Sequence, residues 1–249
     1  MKKFAKPVKQ KNNSNDLVLY GRHAVMAALE NPSRKLKKLV CTPENAVQIR
    51  AKYPSLNVVT ADKKDIDKLL PFDAVHQGYA LYCSELEGLS IEELCEMTAN
   101  EEKCNVLILD QVTDPQNVGA IIRSCAAFGT KALIIQDKNS PQESGAMAKA
   151  AAGTMEFLPV VRVTNLARTI ETLKKNGFWI VGMDGYAKSN VAEIDKNTKL
   201  AVIMGSEGAG MRRLVEESCD ITIRLPISEK VESLNVSTAA AVVLYELNK

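Results

Sequence analysis

The sequence predicts an α/β protein organised around a mostly parallel sheet, preceded by a smaller α/β unit. Three observations predict it. From Asn105 onward, strands that are apolar throughout alternate with helical stretches, the pattern of a sheet covered on both faces. An acidic stretch at 87–103 separates this regular half from a shorter set of elements before it. Glycine, asparagine and acidic residues recur where strand gives way to helix, the place where open α/β sheets put ligands.

The elements follow in order. Residues 1–15 read as a disordered basic arm. LVLYGRHAVMAALEN reads as a strand and a helix with Val25, Ala28 and Leu29 on its apolar side. LKKLVCT and LNVVTA read as strands flanking the helix ENAVQIRAKYP, which ends at Pro54; KKDIDKLL is a short helix stopped by Pro71, and VHQGYALYC is a strand containing a glycine. These close a unit at 16–86. In the linker 87–103, Ser90 and Glu93 have capping-box spacing ahead of Leu94 and Cys95. The second unit, 104–249, then runs strand VLILDQV, a helix from Asn117, strand ALIIQ, helix SGAMAKAAAG, strand EFLPVV, helix TNLARTIETLKKNG, strands FWIVGMD and LAVIMG, helix GMRRLVEES, strand ITIRLP and the closing helix SLNVSTAAAVVLYEL.

Composition excludes several classes. Of 249 residues, 46% are apolar and 25% charged, ordinary for a packed globular protein. No apolar run approaches the roughly 18 residues of a membrane span. The lysine-rich start has no apolar block behind it, so no secretory signal and a cytoplasmic chain are expected. The six cysteines are scattered without zinc-ligand spacing, and no metal is expected; Cys125 has no histidine nearby in sequence and reads as packing. In GSEGAG, Gly205 and Gly210 have phosphate-loop separation, but Met211 and Arg212 stand where that loop needs Lys and Ser or Thr, which argues against a nucleotide triphosphatase. No G-x-G-x-x-G follows the strand ending at Leu109, which argues against a dinucleotide site.

Charge is unevenly placed. Residues 1–38 hold ten Lys or Arg against Asp16 and Glu30, leaving the remainder of a chain of net charge +2 mildly acidic. Such a front end suits a polyanion, through counterion release, or a solvated tail. The cluster Arg34–Lys38 borders a folded segment, which tilts it towards contact with RNA or DNA.

Three segments carry the chemistry: NVGAIIRSCAAFG (117–129), IMGSEGAGM (203–211) and LPISEKVESLNVSTAA (225–240). They offer many backbone donors and few titratable groups, which suits a cofactor bringing its own reactive group. Their order and residues resemble the SpoU (TrmH-like) family of ribose 2'-O-methyltransferases. Asn117 and Arg123 match its first motif, Gly205, Glu207 and Gly210 the second, and Ser233, Leu234 and Asn235 the third. Residues 17–86, with GRHAV and VHQG, resemble the family's ribosomal-L30e-like RNA-binding domain.

The resemblance implies a C-terminal trefoil knot, which no periodicity would have suggested. It implies S-adenosylmethionine held by the backbone around Gly205, Leu225 and Leu234, with Met204 and Ile227 beside the adenine, and a homodimer. It implies a guanosine of 23S rRNA as substrate; a tRNA ribose, or a non-catalytic role in RNA binding or ribosome assembly, are the alternatives. Within the motifs, Arg123 is expected to anchor phosphate and stabilise alkoxide, since a guanidinium stays protonated. Glu207 is expected to accept or relay the proton, or to hold its loop. Asn117 is expected to cap its helix and to face the site, with Ser233 and Asn235 capping the last helix. Relatives of this type commonly carry glycine soon after the position of Pro226, where this chain reads Ile227, Ser228, Glu229, Lys230. His76, beside Gln77 and Gly78, is either an RNA contact or a satisfied structural histidine.

Overall fold

The computed structural model describes residues 16–228 and 230–249, so the expected basic arm and Glu229 lie outside the described residues. The first unit is a mixed sheet of β1 (Leu17–Tyr20), β2 (Leu36–Cys41), β3 (Val58–Thr60) and β4 (Tyr79–Cys83), in the order β1-β4-β2-β3. β4 runs antiparallel to both neighbours, and β2 and β3 are parallel. Around it lie α1 (Arg22–Glu30), α2 (Pro43–Lys52) and α3 (Lys63–Asp67). The apolar side predicted for α1 is the buried one: Val25, Ala28 and Leu29 face the sheet. Pro43 opens α2 and Arg50 and Lys52 sit in its last turn, where they complement the helix dipole.

VHQG does not extend into β4 as the sequence suggests. Gln77 (φ 54°) and Gly78 (φ 81°) turn left-handed and delay the strand to Tyr79. His76 is structural rather than an RNA contact. It is buried, its Nδ1 accepts the Gly78 N–H at 3.0 Å, and its Nε2 lies 3.0 Å from the Asp67 carboxylate. An Nδ1 acceptor makes Nε2–H the donor to Asp67.

The expected capping box forms at α4 (Ile91–Met97). Ser90 Oγ accepts the Glu93 N–H at 3.2 Å and Glu93 Oε2 accepts the Ser90 N–H at 2.8 Å. The Ser90 N–H foremost, and the Ser90 hydroxyl, which donates to the same Oε2 at 2.7 Å, hold the Glu93 carboxyl below the usual carboxylate range. Leu94 and Cys95 belong to the same buried apolar cluster as Val106, Ile108 and Ile180 of the next sheet.

That sheet holds β5 (Cys104–Leu109), β6 (Leu133–Gln136), β7 (Val160–Val163), β8 (Phe178–Met183), β9 (Ser189–Asn190), β10 (Lys199–Met204) and β11 (Ile221–Arg224). The order is β7-β6-β5-β10-β8-β11-β9 and every pairing is parallel. One face carries α5 (Pro115–Ala127), α6 (Gly145–Ala151) and α9 (Val236–Leu247); the other carries α4, α7 (Leu166–Lys175) and α8 (Arg213–Glu216). Inside α5, Gly119 permits the closest helix approach: a Cβ there would lie 2.3 Å from the Met147 carbonyl oxygen on α6. Two expectations are corrected. The two-residue β9 had no sequence signal, and α8 begins at Arg213 rather than at Gly210, because Gly208 (φ 78°) and Gly210 (φ 68°) hold a loop.

The two sheets are joined by a buried ionic seam. The Arg34 side chain is fully buried, not offered to nucleic acid as its basic neighbours suggested. It donates to Glu143 Oε1 at 2.6 Å, to Glu156 Oε1 at 2.6 Å and to the Ser84 carbonyl at 2.9 Å. The lysines after it are also engaged: Lys35 pairs with Glu87, Lys37 with Asp16, and Lys38 lies over the Tyr82 ring. Desolvation pushes the Glu143 carboxyl above its ordinary range, against the pull of Arg34.

Candidate active site

The site lies beyond the carboxyl ends of β5, β8 and β10, at Leu109, Met183 and Met204, where a parallel sheet leaves a crevice. After β10 the chain makes a narrow loop. The Ser206 N–H donates to the Gly210 carbonyl at 3.1 Å and the Gly210 N–H returns to Ser206 at 3.0 Å. Only glycine fits at 205, where a Cβ would lie 2.2 Å from the Gly210 carbonyl carbon. The loop is pinned by Arg212, the residue that had argued against a phosphate loop. Its N–H donates to Asp110 Oδ2 at 2.8 Å, its Nε to Asp110 Oδ1 at 2.8 Å, and its Nη2 to Gln136 Oε1 at 2.9 Å. Asp110 is fully buried, so this charge-assisted fork fixes the loop on the sheet edge.

At the loop's tip the three sequence segments meet. Asn235 Nδ2 donates to Glu207 Oε1 at 2.6 Å and lies 3.0 Å from Asn117 Oδ1. The Val236 N–H donates to the same Glu207 oxygen at 3.0 Å, placing a carboxylate at the start of α9. Asn235 Oδ1 caps α9, accepting the Ser237 N–H at 2.9 Å and the Thr238 N–H at 3.4 Å. So Asn235 caps as expected, whereas Ser233 stands two residues before the cap. Asn117 is not the cap of α5: Asp114 is, accepting the Gln116 N–H at 3.0 Å, with Pro115 opening the helix. That frees the Asn117 amide for Asn235. Glu207 Oε2 takes no hydrogen bond among the described residues.

Beside this junction is a cavity of about 310 Å³. Met183, Met204, Met211, Leu234 and Val236 supply apolar wall. Its charged lining is acidic, with Asp184, Glu207, Glu216 and Glu232 and neither Lys nor Arg. Of the residues expected at a cofactor, Met204, Gly205 and Leu234 line it, as does Ser233. Leu225 and Ile227 do not: Leu225 packs half-buried against the core and Ile227 is exposed.

Arg123 is also outside the lining. It is exposed and without an ion-pair partner among the described residues, six residues along α5 from Asn117 and roughly 9 Å further along the axis. Cys125, within the same segment, is fully buried and its thiol is pushed up to about 12 by burial, so no thiolate is available. Sequence reasoning missed Asp110, Gln136 and Arg212. The usable signal was a carboxylate closing an apolar strand, VLILD, with an arginine just past the glycine loop.

A parallel sheet whose carboxyl edge carries an acidic, apolar-walled cavity, with Glu207 in its lining held by Asn235, defines a small-ligand site rather than a phosphate-loop or dinucleotide protein. The chain matches the sequence profile of the SpoU rRNA Methylase family over residues 105–245, and that of RNA 2'-O ribose methyltransferase substrate binding over residues 18–89. It belongs to the SpoU methylase family. Among curated relatives, the 23S rRNA (guanosine-2'-O-)-methyltransferase RlmB of Coxiella burnetii is 37% identical, over 93% of this chain and 94% of the relative. A Bacillus subtilis protein named for the TrmH family of tRNA/rRNA methyltransferases, YacO, is 37% identical over 95% and 96%. The fold is that of the SpoU methyltransferase AviRb from Streptomyces viridochromogenes, solved with AdoMet: TM-score 0.79 at 20% identity, covering 94% of this chain and 89% of that one. An AdoMet-bound rRNA methyltransferase from Sinorhizobium meliloti gives 0.77 at 22% identity, covering 93% and 86%.

Proposed function

We propose that this chain transfers a methyl group from S-adenosylmethionine to a ribose 2'-hydroxyl of RNA, with a guanosine of 23S rRNA as the target. The observation that carries the reading is the Asn117–Asn235–Glu207 junction, which ties all three family segments to the rim of one acidic cavity. The donor is a cation with an apolar adenine end and a sulfonium end. Methionine and leucine walls suit the first, and four carboxylates with no opposing cation suit the second.

Bound there, the donor supplies a methyl on sulfur that leaves as a neutral thioether, so no general acid is required. The protein's work is alignment and removal of one proton. In-line placement of hydroxyl and methyl can lower a barrier by roughly 7–11 kcal/mol. Glu207 is the carboxylate at the junction; Asn235 and the Val236 N–H fix one oxygen, leaving Oε2 to accept the hydroxyl proton. Asn117 and Asn235 orient Glu207, and Ser233 stands on the cavity wall beside them. Arg123 anchors the phosphate next to the target ribose and steadies developing alkoxide.

The homodimer belongs to the same reading. Its supports are the position of Arg123 away from its own chain's cavity and the exposed Val242 and Tyr245 on the apolar α9. So do the trefoil threading, the cytoplasmic location and the division into an RNA-binding unit at 16–86, a linker at 87–103 and a methyltransferase unit at 104–249. No helix among the described residues is long and apolar enough to cross a membrane.

The test is transfer of labelled methyl from S-adenosylmethionine into total RNA from a strain lacking the protein, followed by mapping of 2'-O-methyl sites. A single guanosine in 23S rRNA is the expected product. A tRNA ribose would move the substrate but keep the reaction. RNA binding without incorporation, and without heat on donor titration, would make the chain a non-catalytic RNA-binding factor.

A further inference from the structure

At the mouth of the donor cavity stands an aromatic ring that the proposed chemistry does not use. Tyr186 lines the cavity, yet 91% of it is open to solvent. Its backbone is not loose. The Asp184 N–H donates to the Ile223 carbonyl at 2.9 Å, the Tyr186 N–H to Asp184 Oδ1 at 3.0 Å, and the Ala187 N–H to the Asp184 carbonyl at 3.2 Å. Just beyond, Ala187 is buried and β9 pairs with β11. The turn is thus tied down on both sides while its one large side chain projects outward.

We infer that the Tyr186 ring is the platform on which a base of the RNA, the target base or its neighbour, stacks once drawn out of its own structure. The inference rests on the methyl-transfer reading above. A ribose can reach a methyl held inside a crevice only if its nucleotide is unstacked from its neighbours, and unstacked bases in protein complexes are received on aromatic faces. The donor's adenine has a different place available, among Met183, Met204, Met211 and Leu234, which are far less exposed than Tyr186. A ring left so fully in water contributes little to the cavity as it stands, and tyrosine, apolar on its face and polar at its tip, is enriched at contact surfaces. The carboxylates around the mouth disfavour phosphate there, so contact with the face of a base is the interaction this rim offers to RNA.

The experiment uses the full chain, labelled S-adenosylmethionine and total RNA from a strain lacking the protein. Tyr186→Ala is expected to lower kcat/KM for RNA about 5- to 150-fold, the loss of one stacked base, with donor affinity by calorimetry unchanged within about twofold. Tyr186→Phe and Tyr186→Trp keep an aromatic face and are expected to restore most of the rate, whereas Tyr186→Leu, apolar but not planar, is not. Wild-type rates in Tyr186→Ala, or full rescue by leucine, would overturn the proposal. So would a parallel loss of donor affinity, which would place the ring on the cofactor. An inactive wild type that binds no donor would instead sink the methyl-transfer reading itself, and is told apart by that control.

Discussion

Asn235 makes two separable contributions, and one substitution pulls them apart. Its Oδ1 caps α9, while its Nδ2 is the donor that joins Glu207 to Asn117. Asn235→Asp keeps an acceptor for the Ser237 N–H, and an aspartate near a helix N-terminus adds about 0.3–1 kcal/mol. The same change replaces the 2.6 Å hydrogen bond to Glu207 by two facing carboxylates. The junction is solvent-exposed, so the Coulomb term is near the aqueous figure of about 1 kcal/mol at ~4 Å. The lost hydrogen bond to a charged acceptor adds about 1.5 kcal/mol, the low end for an exposed group. Asn235→Asp should therefore lose about 1.5–2 kcal/mol net, roughly 3–8 °C in Tm for a chain of this size. Adding Glu207→Gln gives the new carboxylate an amide donor and should recover most of the loss. The assay is thermal unfolding of wild type, both single variants and the double variant at pH 7.5. A coupling of about 1–2 kcal/mol is expected. Additivity within about 0.5 kcal/mol would show that Glu207 and Asn235 do not meet.

Three other outcomes follow from the same geometry. Glu207→Gln should leave S-adenosylmethionine affinity within a few-fold of wild type while lowering single-turnover methyl transfer about 10²–10⁴-fold, measured by rapid quench. Arg123→Ala should abolish transfer with donor affinity by calorimetry nearly unchanged; equal loss of both would remove its role as phosphate anchor. Arg34→Met strands Glu143 and Glu156, whose side chains are 10% and 5% exposed, and should destabilise the chain by about 3–5 kcal/mol in denaturant unfolding. Burial already raises Glu143, so without its arginine the folded pKa climbs further. The Arg34→Met deficit should be smallest at low pH and grow as pH rises through the carboxylate range.

The parallel sheet was legible because each of its longer strands is apolar on both faces, so Val106–Leu109 and Leu200–Met204 announce themselves without any tertiary information. Helix α7 was equally plain, with Leu166, Ile170 and Leu173 on one face behind an Asn165 cap. Local chemistry misled at Asn117: Asp114 and Asn117 both precede apolar turns, and only the Pro115 ring, fitted to the first helical position, selects the earlier cap. The basic cluster at Arg34 misled for another reason. Its partners Glu143 and Glu156 lie more than a hundred residues away, and a one-dimensional charge count cannot see them. The Asp110–Arg212–Gln136 anchor was hidden in the same way, since it joins the ends of β5 and β6 to the loop after β10. Motif residues Glu207 and Asn235 were identifiable by type and order; that they touch through one carboxylate oxygen is a property of the fold.

The central claim is that three turns, separated along the chain, close around one methyl donor. A crystal of the full chain grown with S-adenosylmethionine tests it most directly. The account predicts density for the donor in the cavity bounded by Met204, Met211 and Leu234, with its methyl directed towards the Glu207–Asn235 junction. Donor density elsewhere on the molecule, or a methyl pointing away from Glu207, would contradict it.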